Sequence, residues 1–226
     1  MEIKKKVLFV TGGNSNNFEI SPFIKVQGDS LINEGIEVSY FLIKGKGFLG
    51  YIKSAVLLHK FLKNNFYDVI HAHYTLSALV CVLTLPKSPI VLSLMGSDAY
   101  GEYIGHNKIS IKSYYLVILT KLIQPFVSAI ICKSEHIASY VYLKRKIFII
   151  PNGINLEKFS SSISSNRIDL GLNEDKKYVL FLGNKHEKRK NYELVKKSMR
   201  IIDDQDILLY NPYPISHAQI PLILNS

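Results

Sequence analysis

The sequence predicts an α/β fold: a parallel sheet covered by helices, followed by a second and smaller α/β region. Short β-branched runs alternate with helix-period segments from the start of the chain, the pattern of strands buried on both faces between crossover helices. A chain of 226 residues, 47% apolar and 20% charged, can bury a full core. The apolar run Ile149-Ile150 ends abruptly in Pro151-Asn152-Gly153. Pro151 has no amide proton and Gly153 accepts positive φ, so the chain must bend there. Residues 1–150 therefore read as one domain, 151–176 as a crossing and linker, and 177–226 as the beginning of a second, incomplete domain.

In chain order, strands are predicted over Lys5–Val10, Glu37–Ile43, Val69–His73, Ile90–Leu94, Ala129–Cys132 and Ile147–Ile150. The first helix takes Ser21 as its cap and Pro22 as its first residue, turns Phe23, Leu31 and Ile32 inward, and stops at Gly35. The second runs over Tyr51–Phe66, with Ile52, Val56, Leu57 and Phe61 at helical spacing and Lys53, Lys60 and Lys63 supplying charge. A third spans Thr75–Leu85 and ends at Pro86; two more cover Lys108–Gln124 and Glu135–Leu143. Beyond Pro151, the serine-rich stretch 160–166 suits a solvated linker. A strand at Tyr178–Leu182, a helix at Asn191–Ile202 and a strand at Ile207–Tyr210 follow.

Composition narrows the functional classes. Cys81 and Cys132 lie in apolar runs without metal-ligand spacing and read as buried free thiols of a reducing compartment. The first apolar run is too short for an export signal, and Lys112, Lys121, Gln124 and Pro125 interrupt the longest one. A soluble or peripheral cytoplasmic protein is expected. The net charge of +10 favours acidic partners, and with no zinc-finger or RNA-binding signature nucleic acid is not expected.

Ligands of open parallel sheets bind beyond the carboxyl ends of the strands. Four polar segments fall there: 11–17, 71–74, 95–98 and 132–135. Gly12 and Gly13 allow close backbone approach, although an ordinary flexible loop has the same composition. His71 and His73 share one strand face; His73 reads as a hydrogen-bond partner for substrate and His71 as a satisfied core histidine. Asp98 is placed either to receive sugar hydroxyls or to cap a turn. Asp203-Asp204-Gln205-Asp206 reads as a solvated turn rather than a metal site. The loop 182–192 gathers Lys185, Lys188, Arg189 and Lys190 beside a helix start, where a pyrophosphate would fit.

Taken in order, the Gly12-Gly13 loop, the 68–74 strand, Gly96-Ser97-Asp98, the Ile150–Ile154 crossing with Phe159, and Lys190-Asn191 resemble the retaining glycosyltransferases of family 4. The resemblance covers essentially the whole chain and implies a GT-B fold of two Rossmann-like domains. It further implies a nucleotide-sugar donor held mainly by the second domain, a glycan or lipid-linked acceptor held by the first, and transfer without a metal or other cofactor. By position, Lys190 corresponds to the family lysine that contacts donor phosphates, Gly12 and Gly13 to the loop bordering the reaction centre, and Asn184 to a position commonly occupied by arginine, so Gly12, Gly13, Asn184, Lys185 and Lys190 are the donor-binding candidates. Lys185 or Arg189 would have to compensate for that arginine. His73 and Asp98 are the catalytic candidates, and Met95 stands where the family often has histidine. Residues 217–226 resemble the segment before the family's acidic donor-binding loop, so the expectation is a truncated chain with weak or no transfer activity. The alternative is a non-catalytic acceptor-binding or membrane-docking half that pairs with a separate donor-domain chain. The overall basicity and the lysines of the second helix point to an anionic membrane surface as a further partner.

Overall fold

The computed structural model describes residues 4–14, 19–45, 47–104, 108–162, 165–216 and 218–226, apart from the side chain of Arg189. Two compact units emerge: Met1–Glu102 with Ile109–Gly153, and Tyr103–Lys108 with Ile154–Ser226.

The first unit is built on six parallel strands in the order β2-β1-β3-β4-β5-β6. These are β1 (Lys6–Gly12), β2 (Glu37–Ile43), β3 (Val69–His73), β4 (Ile90–Ser93), β5 (Ala129–Cys132) and β6 (Ile147–Ile149). Central β1 has Leu8, Phe9 and Val10 fully buried, as expected of a strand covered on both faces. The connecting helices are α1 (Pro22–Asn33), α2 (Gly47–Asn64), α3 (Thr75–Leu83), α4 (Ser97–Tyr100), α5 (Tyr114–Ile123) and α6 (Glu135–Ser139). The β1-to-β2 crossover runs opposite to all later ones, so right-handed connections put α1 on one face and α2, α3, α5 and α6 on the other. The main core fills this second face, where Leu8, Ile70, Leu92 and Ile130 meet Leu58, Val80 and Ile123.

Two predicted helix faces are corrected. In α1 the inward residues are Ile24 and Gly28, while Phe23 and Ile32 are exposed. The helix lies so close to β2 that a methyl on Gly28 would overlap the Tyr40 hydroxyl. Ser21 does cap α1, but through its carbonyl, which accepts the amides of Ile24 and Lys25. In α2 three of the four stripe residues face outward: Ile52, Val56 and Leu57 are exposed, Phe61 packs against the core, and Ser54, Ala55 and Leu58 are buried. This helix also starts one turn early, at Gly47, because Gly50 packs directly on the backbone of Gly45.

Helices α2, α3, α5 and α6 end sooner than predicted, at Asn64, Leu83, Ile123 and Ser139, and lysines fix the segments that follow the last two. Lys144 Nζ donates to the carbonyls of Ala138 and Ser139 and closes α6. Lys146 Nζ donates to those of Gln124, Pro125 and Val127 in the turn after α5. Both cysteines are free and buried.

The second unit carries parallel strands β7 (Lys177–Leu180) and β8 (Ile207–Tyr210), joined through α7 (Tyr192–Ile202), and a short α8 (Ile220–Leu224). No side chain of α7 is fully buried. Asn211 Nδ2 ties β8 to the loop after β7 by donating to the carbonyls of Phe181 and Gly183. The 203–206 turn is surface structure: the Asp206 carboxylate pairs with Lys176 at 2.7 Å, and Asp204 accepts the Asp206 amide. Positions 163, 164 and 217 of the predicted linker and terminal segment lie outside the described residues.

Candidate active site

At the carboxyl ends of β1 and β3, unit 1 contains a cavity of about 270 Å³. Its floor is Thr11, Gly12 and His73; Phe23 and Tyr51 form one wall, and Tyr74 with Met95 the other. Residues 15–17 of the first polar segment lie outside the described residues.

The two glycines divide their work. A methyl on Gly13 would lie 2.9 Å from Leu42 Cβ, so Gly13 is required for packing against β2, and its amide donates to the Ile43 carbonyl. A methyl on Gly12 would meet nothing within 4 Å, because that position faces the cavity. Asn14 then clamps the neighbouring loop: its amide nitrogen donates to the Gly45 carbonyl and its oxygen accepts the Gly45 amide.

His71 and His73 stack with ring centroids 4.2 Å apart, and Phe9 meets both edge-on. His71 bonds Ser93 Oγ through Nε2 at 2.8 Å and is a satisfied core residue. His73 is 1% exposed, and neither ring nitrogen has a partner among the described residues. Burial lowers the His71 pKa to about 4, with the Lys133 charge adding to the shift. Burial, His71 and Lys133 lower that of His73 to about 2. His73 is therefore a neutral imidazole facing the cavity, able to donate through one nitrogen and accept through the other.

Asp98 has a different place. It is fully buried, and all its bonds are internal: Oδ1 accepts the amides of Met95 and Gly96, and Oδ2 accepts the amide and hydroxyl of Thr75. Burial pushes its carboxyl upward while these backbone donors pull the other way. Asp98 thus joins the start of α3 to the loop after β4 and acts as a positioning residue for the wall that holds Tyr74 and Met95. Between them, Tyr74 is held at φ +84°, a strained turn from strand to helix directly at the cavity.

Lys133 continues β5 on the histidine face, and its charge reaches both rings. Sequence reasoning placed it in a polar segment without assigning it a role; strand alternation from Ile131 was the available signal. Tyr51 and Phe23 were also missed as cavity residues, because only the fold brings α1 and α2 to the mouth of β1.

In unit 2, the loop after β7 is internally ordered. Asn184 Oδ1 accepts the His186 amide, and the Asn184 carbonyl accepts that of Glu187. Lys185 and Lys190 are exposed, with Lys190 ending a short 3₁₀ turn just before α7. Asn191 enters that helix in the left-handed region, at φ +54°. Pro151, Asn152 and Gly153 are exposed, at the boundary between the two units.

A six-stranded parallel sheet with this order and a ligand-sized cavity at its carboxyl rim is the Rossmann-like architecture of the GT-B glycosyltransferases. Solved structures agree on the fold. Sucrose-phosphate synthase from Thermosynechococcus elongatus matches with a TM-score of 0.65 and 13% identity, over 98% of this chain and 73% of that one. The lipopolysaccharide outer core galactosyltransferase WaaB matches at 0.61 and 11% identity, over 98% and 71%. HepE from Anabaena, in complex with UDP and glucose, matches at 0.57 and 14% identity, over 98% and 72%. The sequence profile of Glycosyltransferase Family 4 covers residues 6–158, and the chain belongs to that family. No curated protein matches the sequence.

Proposed function

We propose that the protein takes part in retaining transfer of a sugar from a nucleotide-sugar donor to a polysaccharide or glycolipid acceptor. One observation carries the reading: a buried, neutral His73, with both nitrogens unpartnered among the described residues, lines a cavity of sugar size. An unpaired buried polar group costs about 1–3 kcal/mol, which a hydroxyl-bearing ligand would recover. The acceptor is assigned to this cavity, with His73 contacting a hydroxyl and Gly12 admitting the ligand against the backbone.

The donor is assigned to unit 2. Lys185, Lys190 and the first amides of α7 would stabilise the diphosphate as it leaves, so no metal is required in this reading. HepE is a structure with UDP and glucose bound, which favours a uridine nucleotide as the first donor to test. Efficient transfer is expected to need more than unit 2 provides. Among the described residues unit 2 holds a two-stranded parallel sheet, which is marginal alone. The second reading, a non-catalytic half that works with a separate donor-domain chain, draws on the same two strands. The proposed location is the cytoplasm, at the inner face of the plasma membrane.

The test is titration of the 226-residue chain with oligosaccharide and glycolipid acceptors, followed through the ring resonances of His73, alongside a transfer assay with UDP-sugars. Acceptor binding that shifts these resonances and is lost in His73→Phe supports the assignment. Acceptor binding that leaves His73 unmoved would place the site elsewhere.

A further inference from the structure

An apolar furrow runs between α2 and α3 and continues round the amino ends of the strands, the rim opposite the His73 cavity. It begins between α2 and α3 as a cavity of about 370 Å³ walled by Ile52, Val56 and Leu83. A second cavity of about 520 Å³, lined by Phe66 and Leu85, shares His59 and Lys63 with it. A third, of about 250 Å³, extends from Leu85 to Phe126. The bordering side chains are unusually bare for their size: Leu85 is 83% exposed, Phe66 74% and Phe126 64%. Leu85 is moreover fixed outward by a backbone φ of +47°, a conformation that costs a leucine roughly 1–2 kcal/mol.

The lining of the three cavities includes lysines and no acidic residue, and Asp68, two residues after Phe66, accepts the Lys6 amide beside Lys5. Helices α2, α3 and α5 have no acidic residue at all. Lys60, Lys63 and Lys87 border the furrow itself. Exposed apolar groups encircled by lysines match a bilayer whose acyl boundary lies beneath anionic phosphates.

We propose that this furrow docks the protein on an anionic membrane, with Leu85, Phe66 and Phe126 entering the acyl boundary and Lys60, Lys63 and Lys87 meeting lipid phosphates. Docking through the amino ends of the strands leaves the His73 cavity, at their carboxyl ends, open to ligands. The inference rests on the peripheral location proposed above but not on the transfer chemistry, and vesicle binding separates the two. No helix among the described residues is long and apolar enough to cross a membrane, so docking would be one-sided.

The chain contains no tryptophan, so Leu85→Trp introduces a single reporter. Its emission should shift to the blue on addition of phosphatidylcholine vesicles containing phosphatidylglycerol, and much less with phosphatidylcholine alone. Each lysine near an anionic surface contributes about a fivefold gain. The triple variant Lys60→Gln, Lys63→Gln, Lys87→Gln should therefore bind about 100-fold more weakly in flotation. The double variant Phe66→Ser, Leu85→Ser should lose the binding that survives high salt, while unchanged circular dichroism shows that it folds. Absence of a blue shift, equal binding to both vesicle types, or variants that bind like the parent overturn the proposal. Self-association that the double variant abolishes also overturns it, by assigning the furrow to a second copy of the chain.

Discussion

The stacked histidines make acid stability a direct test of the core beneath the cavity. Unfolded, each has a pKa near 6.5; folded, His71 titrates at about 4 and His73 at about 2. Because the folded values are depressed, their contribution is complete above pH 6.5 and is lost as pH falls, since only the unfolded chain takes up the two protons. Each group costs about 1.4 kcal/mol per pH unit in that range. Between pH 6.5 and about 4.5 the pair should remove roughly 5 kcal/mol, much of the stability of an ordinary domain. Replacing His73 with phenylalanine keeps a ring against Phe9 and should roughly halve the slope, to about 1.4 kcal/mol per pH unit. Urea unfolding at a series of pH values measures both slopes. A parent protein whose stability is flat from pH 6.5 to about 4.5, or a His73→Phe variant with the parent's slope, would refute the burial and pairing described here.

Four further outcomes follow from the site geometry. Asp98→Asn turns an amide nitrogen toward two buried N–H donors, and should cost about 3–5 kcal/mol and lower the melting temperature by roughly 10 °C; an unchanged melting curve with lost ligand binding would instead make Asp98 a direct contact. Gly13→Ala should cost about 1–3 kcal/mol through Leu42. Gly12→Ala should melt within about 0.5 kcal/mol of the parent yet weaken acceptor binding, as calorimetry can show. Lys190→Ala should reduce UDP affinity about 10- to 100-fold without changing stability, by isothermal titration.

The strands of unit 1 were legible because β-branched runs buried on both faces leave little choice of element, and five of the six ends fall within one residue of prediction. Gly12 extends β1 two residues further, since its pairing with Ile43 continues where the side-chain pattern stops. Helical periodicity located α2 but not its orientation. An apolar stripe announces one face, yet Ala55 and Leu58 are what fit in the core beside Phe61, and Ile52, Val56 and Leu57 are left outside. Helix α8 is five residues long with a proline as its second residue, too short for any periodic signal. Among the site residues, strand alternation and the carboxyl-rim rule brought out His73 and Asp98 together. What each could do depended on hydrogen-bond accounting, which no spacing rule supplies. Among the described residues, Asp98 has every oxygen occupied and His73 neither nitrogen. The strain at Tyr74 was equally hidden, since nothing in the sequence marks it as a residue with positive φ.

The four bonds of Asp98 have a consequence for how the cavity could change its taste. They lock the Tyr74–Met95 side into a fixed jaw, where almost any substitution at the carboxylate would disturb two backbone segments together. The facing jaw, Phe23 and Tyr51, has no such buried clasp among the described residues and is half open to solvent. Variation that retunes the ligand while sparing the fold therefore has room on one side only, and a library aimed at altered selectivity belongs on Phe23 and Tyr51.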